Sequence, residues 1–433
     1  MKKKLLTVML SLCLAVASTF ALTACGETSS DDGKNNGGSG SSITTPDGNG
    51  SGTGSGTGSG SQDDGDETTD IKGLRYIDLG DGTYGISKYT GTASTLVLPS
   101  RYLGHEVTLI GEEAFKDNAS LVNVTLPESL KQIGMYAFYG CKKLTKITIP
   151  AAVTDIGRYA FAKCGALTTA KLENGVEFLP VSMFEDCRKL ESVEIPGTVT
   201  DISQGAFKYC VALTSVTLPE GVERIDSFAF SGCENLEDVS LPDTLESIGI
   251  EVFTGCDNLG GTYENGGYYL GNDKNKHLVL YFADTDEINV DINENTKIIA
   301  GQAFKGCGRL STVTIPDSVT YIGSSAFLNA GLTSVELPSG LTSIEEKTFN
   351  NCKLLTKITI PASVTQIGAD AFNGCRALTK ITIPASVTRV GADIFFGCEQ
   401  LTNIYCLAKN QPSGWDWNWQ NGCDAIAEWG ATV

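Results

Sequence analysis

The chain is 433 residues long, 41% hydrophobic, 19% charged and 8% aromatic, with 49 Gly and 13 Pro. Such a composition excludes wholesale disorder, a collagen-like fibre and a polytopic membrane protein. The formal charge of −19 argues against nucleic acid or anionic lipid as the main partner. With His105 and His277 the only histidines, catalysis resting on several imidazoles is excluded as well.

In chain order, Lys2, Lys3 and Lys4 precede an apolar run from Leu5 to Ala17, and small residues follow. This reads as a cleaved export signal over residues 1–24, too short to span a bilayer as a stable helix. Leu22, Thr23, Ala24 and Cys25 resemble the lipobox of bacterial lipoproteins. The resemblance implies that Cys25 carries the acyl chains and becomes the new N-terminus, placing the protein on the outer face of a bacterial cell membrane. Residues 26–70 hold 13 Gly, 9 Ser and 7 Thr, with Ile43 their only large aliphatic residue. Nothing there offsets chain entropy, so residues 25–70 are expected to be an anchor and a disordered linker with a span of about 35 to 40 Å. Residues 71–433 then hold 28 basic against 42 acidic residues, a charge of −14.

Self-comparison sets the fold. Phe115, Phe138, Phe161, Phe184, Phe207, Phe230 and Phe253 are 23 residues apart, and the register resumes at Phe304, Phe327, Phe349, Phe372 and Phe395 with one 22-residue step. One unit places Leu144, Ile147, Ile149, Pro150, Val153, Ile156, Gly157, Ala160, Phe161 and Cys164 at fixed positions. Alternation at Ile147 and Ile149 predicts a short strand that Pro150 ends; Val153 and Ile156 predict a second short extended or turning edge; Ala160 to Cys164 fits one helical turn. A unit this small buries its apolar side only against stacked copies.

The unit closely resembles the leucine-rich repeat of BspA-like, treponemal-type bacterial surface proteins, over roughly residues 74–433. The resemblance implies an α/β solenoid: a right-handed stack of about thirteen 23-residue turns, with parallel strands on one face and short helical turns on the other. At ~4.8 Å per strand it would be on the order of 60 Å long. Glu173 and Asn293 stand in place of the Pro, Asn118 and Ala330 in place of the Cys, and Pro180 in place of the Gly.

Leu74 to Leu98 alternates around Gly80, Asp81 and Gly82, predicting a capping hairpin over residues 71–98. A first repeat block is expected over 99–259, an inserted hairpin over 260–289, a second block over 290–405 and a Trp-rich cap over 406–433. In the insertion, Tyr268, Tyr269 and Leu270, then Leu278, Val279 and Leu280, flank a polar turn at 271–276.

No catalytic, metal or cofactor constellation is read. The ten Cys that follow the repeat Phe by three residues fall in a line, which cannot converge on one zinc, and parallel Cβ vectors do not suit disulfides. They are expected as buried thiols, while a bond between Cys406 and Cys423 stays open. Gly80, Gly82 and Gly85 match a dinucleotide-loop spacing without a following helix. Asp291, Asn293 and Asn295 begin like a calcium loop, but Thr296 and Gln302 stand at its diagnostic Gly and Glu positions.

Binding surfaces remain. The strand face is expected to present Thr125, Thr148, Lys171, Glu194, Thr217, Ser240, Thr314, Glu336, Thr359, Thr382 and Tyr405 at one repeat position. A monomeric, lipid-anchored surface protein that binds an extracellular protein, as BspA-like adhesins do, is the leading expectation. The alternative is a glycan-binding accessory lipoprotein using Tyr268, Tyr269, Trp415 and Trp417. No enzyme and no nucleic-acid binding are expected.

Overall fold

A computed structural model describes residues 71–432. The signal segment, Cys25 and the linker lie outside the described residues. What is described is a solenoid of about fifteen turns built from short strands.

Each coil follows the chemistry of its unit. In the coil that starts at Lys146, the strand Lys146–Ile149 points Ile147 and Ile149 inward and Lys146 and Thr148 outward. Pro150 has no N–H to continue the ladder, and its carbonyl instead accepts from Val153 N at 3.0 Å, turning the chain. A two-residue strand, Asp155–Ile156, follows. Gly157 comes next because a Cβ there would sit 2.3 Å from the backbone nitrogen of Met135 in the preceding coil. Leu144, Ile147, Ile149, Val153, Ile156, Phe161, Cys164 and Leu167 are all buried. Each such aliphatic or aromatic side chain contributes about 1.5–3 kcal/mol through removal from water.

The strands stack coil on coil into two parallel ladders, each paired in register within several successive sheets and not as one unbroken run. In the first, Ile147 pairs with Ala170 and Ala170 with Val193. In the second, Phe178 pairs with Asp201, Asp201 with Arg224 and Arg224 with Ser247. The second edge read from Val153 and Ile156 is therefore a set of paired strands of its own.

The helical turns expected opposite the strands do not occur: among the described residues no helix is present, and the stack is all-β instead of α/β. From Tyr159 to Cys164 the N–H groups alternate in direction. Tyr159, Phe161 and Lys163 donate to Val181, Met183 and Glu185 of the next coil, while Ala162 and Cys164 donate to the carbonyl three residues back. That alternation requires left-handed backbone at Tyr159 (φ 59°) and Lys163 (φ 58°), which no α-helical turn contains. The next coil's carbonyls thus replace the i−4 carbonyls as acceptors.

The count also exceeds the expected thirteen, because the irregular segments join the stack. At the start, Leu74–Asp78 and Tyr84–Tyr89 pair antiparallel, and the second of them pairs parallel to His105–Ile110. In the insertion, Thr262–Glu264, Gly267–Leu270 and Val279–Ala283 pair antiparallel in that order, and Val279–Ala283 then runs parallel to Ile298–Ile299. At the end, Gly414–Trp415 extends the second ladder from Arg389–Val390, and Ile426–Trp429 extends the first from Asn403–Cys406.

The core is a file of rings. From Phe115 to Phe253 and from Phe304 to Phe395, successive Phe rings lie nearly parallel with centroids 4.8–5.9 Å apart. Tyr89 tilts against the first ring at 5.4 Å. Tyr281 ends the first run edge-on to Phe253, and Trp419 ends the second edge-on to Phe395. Buried residues of the insertion divide between the flanking blocks, with Leu278 and Val279 in the first and Tyr269 and Leu280 in the second.

Candidate binding face

The outward row of the first ladder is the most regular feature on the surface. Thr148 is in register with Lys171 and Lys171 with Glu194; Glu336 pairs with Thr359, and Thr382 with Tyr405. Thr125, Thr148, Lys171, Glu194, Thr217, Thr314, Glu336 and Thr359 are exposed, whereas Thr382 and Tyr405 are half-buried. Alternation puts these side chains outward because Val124, Ile147, Ala170, Val216, Val313, Val335 and Ile358 of the same strands point into the core.

The polar groups of the row engage one another lightly. Thr314 Oγ1 donates to Asp291 Oδ1 at 2.7 Å, and Lys171 Nζ lies 3.9 Å from Glu194 Oε2 with both side chains at least half exposed. A pair so exposed contributes at most about 1 kcal/mol and is free to exchange for a partner's charges. Lys171 and Glu194, with Ala151, Glu173 and Pro196, line a shallow hollow of about 410 Å³.

Three members of the row escape the sequence reading: Val97 beside Thr125, Asp291 beside Thr314, and Glu428 beside Tyr405. Val97 and Glu428 sit in the caps, where the 23-residue spacing breaks, so counting from the repeat Phe misses them; Asp291 lies thirteen residues before Phe304, as Thr314 does before Phe327, and keeps the spacing. Asn123, Lys146, Ser192, Ser215, Asp238, Lys357 and Lys380 form a second exposed row two residues earlier in the same strands. Its signal was the period-two alternation already used for the first.

The glycan platform read from Tyr268, Tyr269, Trp415 and Trp417 does not assemble. Tyr269 is fully buried and Trp415 is 6% exposed, so neither ring face is open to a sugar. Trp415 is held inside because it pairs with Val390 and takes its inward place, with its Nε1 donating to Val387 O at 3.2 Å. Its ring packs with those of Trp419 and Trp429 at centroid distances of 4.9 and 5.2 Å. Tyr268 is half-buried, and Trp417, at 89% exposure, stands outside this cluster.

The thiols are chemically quiet. Cys141, Cys164, Cys187, Cys210, Cys233, Cys256, Cys352, Cys375 and Cys398 each donate to the carbonyl of a repeat Phe 25 or 26 residues earlier, at 3.1–3.3 Å. Burial pushes the Cys141, Cys307, Cys352 and Cys398 thiols up to about 12, which removes the thiolate needed for nucleophilic attack or metal binding. Cys406 and Cys423 are also free. Among the described residues no group of three or more His, Cys, Asp or Glu side chains is arranged to hold a metal ion. His105 hydrogen-bonds Gly82 O through a ring nitrogen, and His277 Nε2 lies 2.7 Å from Glu264 Oε2 in the insertion. Asp291, read as the start of a loop resembling a calcium site, spends Oδ1 on Thr314.

The fold and this face define a leucine-rich-repeat solenoid. A BspA-type leucine-rich repeat region with six copies matches residues 93–214, 200–262 and 280–402, and the chain belongs to that family. Among solved structures it is similar to a leucine-rich cell surface protein from Faecalibacterium prausnitzii, with 29% identity over 84% of this chain and 97% of that one and a TM-score of 0.38. A leucine-rich repeat protein from Bacteroides ovatus shares 26% identity over 73% of this chain and 94% of that one, TM-score 0.36. The pneumococcal vaccine antigen PcpA shares 19% over 78% and 86%, TM-score 0.36. Among curated proteins, none matches.

Proposed function

We propose that the chain is an exported lipoprotein, acylated at Cys25 and held on the outer face of a bacterial membrane, whose repeat stack captures an extracellular protein and so serves adhesion. The linker over 25–70 gives the stack reach, and the stack acts as a monomer, by recognition and not by catalysis. The observation that carries this reading is the row of exposed side chains at one repeat position, from Thr125 to Thr217 and from Thr314 to Thr359, held in register where their strands pair, as at Thr148, Lys171 and Glu194 and at Glu336 and Thr359. A rigid scaffold orders few groups on binding, so weak contacts repeated from coil to coil add up to affinity.

The test is capture of extracellular matrix and bacterial surface proteins by the full chain, compared with a variant carrying Thr148→Arg and Thr359→Arg. Capture that the two changes abolish, with the melting curve unaltered, supports the reading. Equal capture by both proteins sinks it.

A further inference from the structure

The insertion builds an antiparallel unit inside an otherwise parallel stack, and its register sorts its aromatic residues onto two sides. Thr262 pairs with Tyr269 and Tyr269 with Leu280; Tyr269 and Leu280 are buried. A β-bulge at Tyr281 shifts the register, so that Tyr263, Tyr268 and Phe282 are direct cross-strand neighbours on the opposite side. Their ring centroids follow one another at 4.7 and 5.8 Å, tilted by 50° and 45°. Tyr263 is 47% exposed, and Tyr268 and Phe282 are half-buried.

Carboxylates edge this file of rings. Glu287 lies over Gly266 in the turn between Tyr263 and Tyr268, where an added Cβ would come within 2.6 Å of its Cγ. Asp284 N donates to Gly266 O at 2.7 Å, which holds Asp284 against the same turn. Burial first, then the charges of Asp284 and Glu287, raise the Tyr263 phenol above its ordinary value. Asp286, between them, lies 3.9 Å from Arg309.

We propose that Tyr263, Tyr268 and Phe282, with Asp284 and Glu287 at their edge, form a binding strip for a neutral polysaccharide. A pyranose has an apolar C–H face that lies on an aromatic ring and a rim of hydroxyls that donate to carboxylates, and this strip offers both. Rings in file suit successive sugars of one chain; a cage for a point cation needs ring faces converging on one place. The carboxylates repel uronates, sulfates and phosphates, which makes the sugar uncharged. This strip is separate from the strand-face row and does not depend on it.

Native gel electrophoresis of the full chain through gels containing xylan, mannan, β-1,3-glucan or soluble starch tests the proposal. Retardation by at least one of them is expected, with Tyr263→Ala and Tyr268→Ala each weakening it by about tenfold and Tyr263→Phe retaining it. Because Tyr263 is exposed, its replacement leaves the melting temperature unchanged, and capture of a protein on the strand face is unaffected. No retardation by any of the four, or retardation indifferent to Tyr263→Ala, overturns the proposal. Binding of polylysine in place of the glycans, lost in Asp284→Asn with Glu287→Gln, overturns it in favour of a cationic partner.

Discussion

Cys164 Sγ donates a hydrogen bond to Phe138 O, 26 residues earlier, at 3.2 Å. Phe138 N meanwhile donates to Ala160 O of the coil that holds Cys164. The thiol thus adds a second hydrogen bond to a core carbonyl that already accepts from Cys141 N at 3.1 Å. A hydrogen bond of this kind contributes at most about 1 kcal/mol, and removing the fully buried sulfur adds a cavity cost. Cys164→Ala is expected to lower the unfolding free energy by about 1–3 kcal/mol in urea titration. An unchanged midpoint would mean the thiol only fills space.

The thiols also set an alkaline limit. In the unfolded chain they ionise near a pKa of about 8.5; in the fold Cys141, Cys307, Cys352, Cys398 and Cys406 are held up to about 12 by burial. A raised folded pKa means that the stabilisation is complete below the unfolded value and is lost as pH climbs from there toward the folded one. Urea midpoints are expected to be flat in neutral buffer and to fall from about pH 8.5 toward about 12. Replacing Cys141, Cys352 and Cys398 by Ala should flatten that fall; a slope that stays the same would assign it to other groups.

Coil spacing is enforced at Gly157, where a Cβ would meet Met135 N at 2.3 Å, while Gly165 has nothing within 4 Å. Gly157→Ala is expected to cost about 1–3 kcal/mol, as other overpacked cores do, and Gly165→Ala well under that. Thermal melts of the two variants side by side decide it, and equal losses would refute the close-approach argument.

Thr296 is fully buried, and its hydroxyl has no hydrogen-bond partner among the described residues. It occupies the place that Val153, Val176, Val199, Val222 and Val319 take in other coils. Thr296→Val keeps the shape and removes the stranded hydroxyl, so it should stabilise the protein by about 1 kcal/mol. A destabilised variant would show that this hydroxyl is hydrogen-bonded in solution.

In the function proposed above, membrane attachment rests on the Cys25 side chain alone. Cys25→Ala is expected to move the protein from the membrane fraction to the soluble fraction of the producing bacterium, with loss of its partition into detergent. Retention on the membrane would reassign the anchor.

Most of the repeat was legible because burial and strand pairing both act locally: Ile147 and Ile149 alternate, Pro150 stops the strand, and the Phe period counts the coils. The turn was misread for a physical reason. Ala160, Phe161 and Cys164 have helical spacing, and the left-handed positions that forbid a helix are filled by Tyr159 and Lys163, residue types that do not advertise positive φ. Gly205 at the first of those positions, and Gly140, Gly232, Gly255, Gly306, Gly374 and Gly397 with Asn329 and Asn351 at the second, carry the hint in other coils. At the candidate sites, polarity identified the strand-face row but parity decided the aromatics. Which of Tyr268 and Tyr269 faces out depends on pairing with Thr262–Glu264, a strand too short and mixed to be read from its residues.

The turn column has a direction. Tyr136, Phe138 and Gly140 donate to Arg158, Ala160 and Ala162, and Glu113, Phe115 and Asp117 donate to Met135, Ala137 and Tyr139, always from the earlier coil to the later one. Aligned peptide groups of one sense leave bare acceptors at one extremity and bare donors at the other, so an untreated stack would be its own template for head-to-tail growth into a fibre. The terminal segments act as chemically opposite stoppers. Tyr89 N and Lys88 Nζ supply donors to the carbonyls of Ala114 and Glu113. At the far extremity Asn418, Trp419 and Gly422 supply carbonyls to the amides of Asp393, Ile394 and Gly397.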